Sequence, residues 1–127
     1  MEIREKLDPT IEPRYFNLRE LTYTRCKLDN QPNTFTHIAN LRALADFLDM
    51  IRDEFGHPIF VNSAFRTHDV NAAVGGVATS LHCKGRAADI WCGDDRIDSL
   101  IDVLRNHRNE MTEFIVNKAK HYIHVAI

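Results

Sequence analysis

Three residues of this chain, His82, Asp89 and His124, have the side chains and the placing of a metal site. Two imidazole nitrogens and one carboxylate oxygen suit Zn²⁺, and a set of three leaves a fourth tetrahedral position for water, the arrangement of catalytic rather than structural zinc. Between the first two lies Gly85, where the backbone can turn tightly, and Ala87 and Ala88 allow close packing beside Asp89. Asp89 interrupts an apolar stretch, and a buried carboxylate must be paired, hydrogen-bonded or metal-bound. On residue chemistry alone, a structural ion pair with Arg66 serves Asp89 as well as a metal does.

The remaining reactive side chains read more plainly. His37 and His107 fall on helices, His57 lies beside a helix stop and His68 opens a short helix, so each is expected to be solvated or capping. Cys26, Cys83 and Cys92 are odd in number and follow no Cys-x-x-Cys spacing, which argues against a disulfide framework or a four-cysteine zinc site. Cys83 follows His82, and adjacency on a strand turns it to the opposite face, as packing. Trp91 reads as core or pocket wall.

These residues need a scaffold. The chain has 127 residues, 44% apolar and 27% charged, with a formal charge of −2. That is the composition of an ordinary globular domain, and one domain over 1–127 is expected, with a loosely ordered arm at 1–14. Scattered basic residues offer no stripe for nucleic acid. No apolar run marks a membrane span, and Met1 to Thr10 has no secretory core. The expectation is a monomer made in the cytoplasm.

Asn17 with Glu20 forms a capping-box pattern, which predicts a short helix over Leu18 to Thr22. The polar stretch Lys27 to Asn33 separates it from the next element. Ile38, Leu41, Leu44, Leu48, Ile51 and Phe55 make an apolar stripe on a helix from Thr34, stopped by Gly56 and Pro58. Ile59 to Asn62 reads as a buried strand, His68 to Val74 as a short helix, and Arg86 to Cys92 as a second strand. Asp94 or Asp95 is expected to cap a helix reaching His107. Glu113 to Val116 and Tyr122 to Ile127 predict an antiparallel hairpin. The class is therefore α+β, with a mostly antiparallel sheet.

The pattern Ser-x-His-x-x-Gly-x-Ala-x-Asp, carried by Ser80, His82, Gly85, Ala87 and Asp89, resembles that of the zinc D-Ala-D-Ala carboxypeptidase family, peptidase family M15. Ser63-Ala64-Phe65-Arg66, Asn71, Val74-Gly75-Gly76 and Tyr122-Ile123-His124-Val125 are similar to further stretches of that family in the same order. Phe16 to Leu21 resembles the opening of its short phage and bacterial members. The resemblance implies a DD-peptidase/hedgehog-like fold, with the sheet carrying the metal and helices on one side. It also implies hydrolysis of peptidoglycan stem peptides, at a D-Ala-D-Ala terminus or at an L-Ala-D-Glu bond. By the same resemblance His82, Asp89 and His124 take zinc, Arg66 clamps the substrate oxyanion, and Ser80, Asn71 and Tyr122 contact substrate. Ser80 equally serves to orient the turn before His82.

Where the family carries an acidic general base, three residues before its last zinc histidine, this chain has His121. Residues three apart on a regular strand face oppositely, so His121 reaches the metal only from a turn or bulge. A hairpin pairing Val116 with His121 places Glu113 opposite His124, which makes Glu113 the rival base. A chain with neither base is a catalytically silent zinc-binding module that recognises peptidoglycan or serves in a virion. The active alternative is an endolysin released to the cell wall during phage lysis.

Overall fold

The computed structural model describes residues 15–127, so the arm expected at 1–14 lies outside the described residues. The first helix, α1, spans Leu18–Leu21. The Asn17 side chain caps it by accepting from the Glu20 backbone N–H at 2.9 Å, as the capping pattern predicts. Helix α2, Phe35–Phe55, is capped by Thr34 and ends on Gly56 at φ 80, a left-handed position that glycine occupies without steric cost.

Strand β1 is Phe60–Ser63, helix α3 is His68–Ala73 and a 3-10 turn covers Leu81–Lys84. Strand β2 (Ala87–Trp91), helix α4 (Ile97–Asn106) and the hairpin strands β3 (Glu113–Asn117) and β4 (Tyr122–Ala126) complete the order. All pairings are antiparallel, and the four strands lie in the order β1-β2-β4-β3. The α+β class with an antiparallel sheet is thus as the sequence predicts.

Alternation along the two central strands divides the sheet into two faces. Ala88, Ile90, Ile123 and Val125 are fully buried and join the core with Leu41, Leu44, Leu48 and Ile51 of α2 and Leu100 and Leu104 of α4. Asp89 and His124 therefore point to the other face, and they are direct cross-strand partners. Buried residues on either side in sequence leave neither strand free to slip, because a one-residue shift would expose the whole apolar set.

Three local expectations are corrected. Neither Asp94 nor Asp95 caps α4: Arg96 stands at that position with no capping side-chain bond. A turn closed by Arg96 N–H to the Gly93 carbonyl at 3.4 Å delays the helix, and Asp94 instead accepts from Trp91 Nε1 at 3.3 Å. His82 and Cys83 belong to the 3-10 turn rather than to a strand. Cys83 is nonetheless buried, as expected of packing. The hairpin pairs Val116 with Ile123, not with His121, which puts Ile115 opposite His124. Pairing starts only at Asn117 and Tyr122 because Lys118 to His121 are taken up by the turn, closed by His121 N–H to the Lys118 carbonyl at 3.3 Å.

Candidate metal centre

Asp89 sits at the middle of the site because β2 is central and its neighbours deliver groups from both sides. On the β4 side, His124 Nδ1 lies 2.8 Å from Asp89 Oδ1. On the β1 side a bulge between Val61 and Ser63 brings Ser63 opposite Asp89, and the chain then curls back over the open face. His82 Nε2 reaches Asp89 Oδ1 at 3.3 Å, and Arg66 Nη2 stands 3.7 Å from Oδ2. The ion pair with Arg66 and the histidine cluster are therefore both present, on different oxygens.

The turn bearing His82 is built by three devices. Ser80 Oγ accepts from the His82 backbone N–H at 3.1 Å, so the serine orients the turn. Gly85 closes it at φ 75, where a Cβ would also meet the His37 carbonyl oxygen and Leu41 Cγ, each at 3.1 Å. Finally, His82 Nδ1 lies 2.6 Å from the Ala64 carbonyl oxygen. A carbonyl can only accept, so Nδ1 carries the hydrogen and Nε2 is the nitrogen turned toward Asp89.

Arg66 is held as firmly. Its Nε donates to Ser63 Oγ at 3.1 Å and its Nη1 to Asn71 Oδ1 at 3.3 Å. Asn71, 2% exposed, also donates from Nδ2 to the Val77 carbonyl at 2.8 Å. Expected as a substrate contact, it is placed as the buried support of Arg66.

Burial pushes the Asp89 carboxyl up, but hydrogen bonds and charge from His124 and His82 outweigh it and hold Asp89 well below the usual carboxylate range. Asp89 therefore offers the cluster an ionised carboxylate oxygen. His124 is raised above the ordinary imidazole value, first by its bond to Asp89, against the opposing effect of burial, with Glu113 adding to the rise.

His82, Asp89 and His124 each offer one candidate ligand atom, and these atoms all lie within 4.8 Å of one another. Ligands about 2.0–2.1 Å from one tetrahedral ion stand roughly 3.3 Å apart; the His82 Nε2–Asp89 Oδ1 separation is 3.3 Å, while His124 Nδ1 stands at hydrogen-bond distance, 2.8 Å, from the same oxygen. The residues present fit zinc in donor type and charge, and they stand close enough together to share one ion.

The other expected site residues lie around this cluster. Glu113 Oε1 is 2.8 Å from His124 Nε2. The hairpin shift is two residues, an even number, so Glu113 keeps the face of His124 while losing the directly opposite position. His121 has φ 58 and a side chain 60% exposed. Its ring stacks on Trp91 with centroids 5.2 Å apart, and its Nε2 lies 3.7 Å from Asp94 Oδ1. Tyr122 shares the face of His124 by alternation. Asn30, which the sequence marks only as part of a polar connection, is buried. It donates from Nδ2 to the Thr22 and Phe65 carbonyls and accepts the Thr67 N–H on Oδ1, each within 2.9 Å. Nothing in the sequence distinguishes it from its polar neighbours.

The family model described as Peptidase M15 matches residues 14–126 of this chain. The chain belongs to the Peptidase M15 family. The matched span takes in both histidines, Asp89 and Arg66, so the likeness read from the Ser-x-His-x-x-Gly-x-Ala-x-Asp pattern is borne out. This M15 chain is also 33% identical over 110 residues to a Streptomyces albus G protein named zinc D-Ala-D-Ala carboxypeptidase. The match covers 84% of the M15 chain and 42% of that relative, so the chain spans about two-fifths of the relative's length.

Proposed function

We propose that this chain is a zinc peptidase that hydrolyses peptidoglycan stem peptides at bonds flanked by D-amino acids, with His82, Asp89 and His124 as the metal ligands. The observation that carries this reading is the convergence of His82 Nε2 and His124 Nδ1 on Asp89 Oδ1, with the second nitrogen of each ring already engaged elsewhere. Zinc bound there supplies a Lewis acid that acidifies water and polarises a carbonyl.

The protein's own groups then have distinct tasks. Arg66, fixed by Ser63 and Asn71, stabilises the negative charge that develops on the carbonyl oxygen as water attacks. His121 accepts the proton of the attacking water and returns it to the leaving amine. Two features support that role. Its left-handed backbone breaks the alternation that would otherwise turn it from the face of His124. Its ring lies against Trp91, which shares the Asp89 face of β2. The name of the Streptomyces relative supports a D-Ala-D-Ala terminus as the substrate.

The test is hydrolysis of two synthetic stem peptides, one ending in D-Ala-D-Ala and one ending before it but retaining the L-Ala-D-Glu bond, with products identified by mass spectrometry. Release of D-Ala that stops on chelation and returns with zinc is the expected result. Zinc bound at one per chain with neither peptide cut would replace the enzyme by a binding module. His121→Ala is expected to lower kcat about 10²- to 10⁴-fold while zinc content stays the same.

A further inference from the structure

Glu113 is a rival to His121 as general base on sequence grounds, but its position gives it other work. Its Oε1 faces His124 Nε2 at 2.8 Å, and a carboxylate at that distance holds a hydrogen on the nitrogen it faces. A ring nitrogen carrying hydrogen has no lone pair for a metal. Nδ1 lies 2.8 Å from Asp89 Oδ1, the same oxygen that His82 Nε2 approaches, so it is the nitrogen inside the cluster, where a metal would take the place of the hydrogen that Asp89 otherwise accepts.

His82 shows the same construction from the opposite side of the site. Its Nε2 faces Asp89, and its Nδ1 is fixed by a main-chain carbonyl, that of Ala64. Each candidate histidine thus has one nitrogen aimed inward and the other secured by an acceptor. Metal-binding histidines are oriented in this way, and loss of the outer partner weakens the metal site.

The sheet explains why Glu113 can do this. Ile115 is the direct partner of His124, and Glu113 lies two residues further along β3 on the same face. A diagonal neighbour of this kind is within reach of a long side chain, whereas an aspartate would fall short.

We infer that Glu113 is a positioning residue: by accepting from Nε2–H it fixes the His124 ring so that Nδ1 binds the metal. This rests on the zinc reading of the site, and it separates Glu113 from proton transfer to substrate. Glutamine at 113 keeps a carbonyl oxygen that accepts from Nε2–H but cannot take up a proton, so the two roles are separable.

The experiment measures zinc affinity by chelator competition, the visible spectrum of the Co²⁺-loaded protein, and kcat, for wild type, Glu113→Gln and Glu113→Ala. Wild type is expected to bind one zinc. Glu113→Ala should bind it about 10- to 100-fold more weakly with an altered cobalt spectrum, and Glu113→Gln should restore affinity, spectrum and most of kcat. Unchanged affinity and spectrum in Glu113→Ala would overturn the inference. So would a Glu113→Gln protein that keeps zinc yet loses kcat as fully as Glu113→Ala, since that is the signature of a base. Wild type that binds neither zinc nor cobalt would instead defeat the metal reading itself. Glu113 is 45% exposed on an edge strand, so neither variant opens the core.

Discussion

His82 donates from Nδ1 to the carbonyl oxygen of Ala64, and two residues on Arg66 returns a backbone N–H bond to the His82 carbonyl at 3.0 Å. The first candidate ligand is tied by ring and backbone to the segment that delivers the guanidinium. The candidate metal cluster and Arg66 are consequently set by one short stretch of chain, and a shift in either carries the other.

Zinc that binds the folded chain alone stabilises it by mass action, by about 2.7 kcal/mol when free zinc is a hundred times the dissociation constant. Calorimetry is expected to show a Tm that rises with zinc and falls back on chelation. Asp89→Asn should lose the rise, because the amide offers no charge to the ion. A wild-type midpoint indifferent to zinc would count against the site.

Removal of the Arg66 side chain should lower kcat/KM about 10²- to 10³-fold, the scale of losing one oxyanion donor. Zinc content should be untouched. Lysine is not expected to rescue, since it cannot bond Ser63 and Asn71 and still present a further nitrogen. Steady-state kinetics on the D-Ala-D-Ala peptide decides this, and full activity in Arg66→Lys would remove Arg66 from the mechanism.

Asn30 satisfies the Phe65 carbonyl and the Thr67 N–H of the Ala64 to Thr67 segment and ties them to the Thr22 carbonyl at the end of α1. Asn30→Ala leaves those groups without a partner and should cost about 2 kcal/mol or more in denaturant unfolding, given about 1–3 kcal/mol for each unsatisfied buried group. Zinc affinity should fall with it, since the same segment anchors His82. A variant as stable as wild type would show that water replaces the amide.

His107, at the end of α4, is clamped between Glu110 and Glu54. The bond to Glu110, then that to Glu54, raises its imidazole above the ordinary value, against a lesser effect of burial. A group raised in the folded state contributes its full stability below the unfolded value of about 6.5, and loses it as pH climbs through the folded value. Both carboxylates are about half exposed, so solvent screening limits the clamp to about 1 kcal/mol. His107→Gln should therefore cost stability near pH 6 and cost little at alkaline pH. Unfolding curves at the two pH values check the sign, and an equal loss at both would assign the effect to packing.

The helices, the sheet class and the candidate metal cluster were legible in the sequence because each has a local signature. Apolar spacing from Leu41 to Phe55 marks α2, Asn17 and Gly56 mark helix ends, and His82 to Asp89 keeps a short fixed pattern. The turn of His121 was also foreseeable, since only a turn or bulge could free it from strand alternation. By contrast, the support of Arg66 by Asn71, the anchoring by Asn30 and the two-residue shift of the hairpin depend on groups far apart in the chain meeting in space. Residue types determined which atoms could bind a metal and which strands could hold them. Only the packed sheet decided which nitrogen of each histidine faces Asp89, because that choice is made by the acceptors Ala64 and Glu113, brought in from other strands and turns.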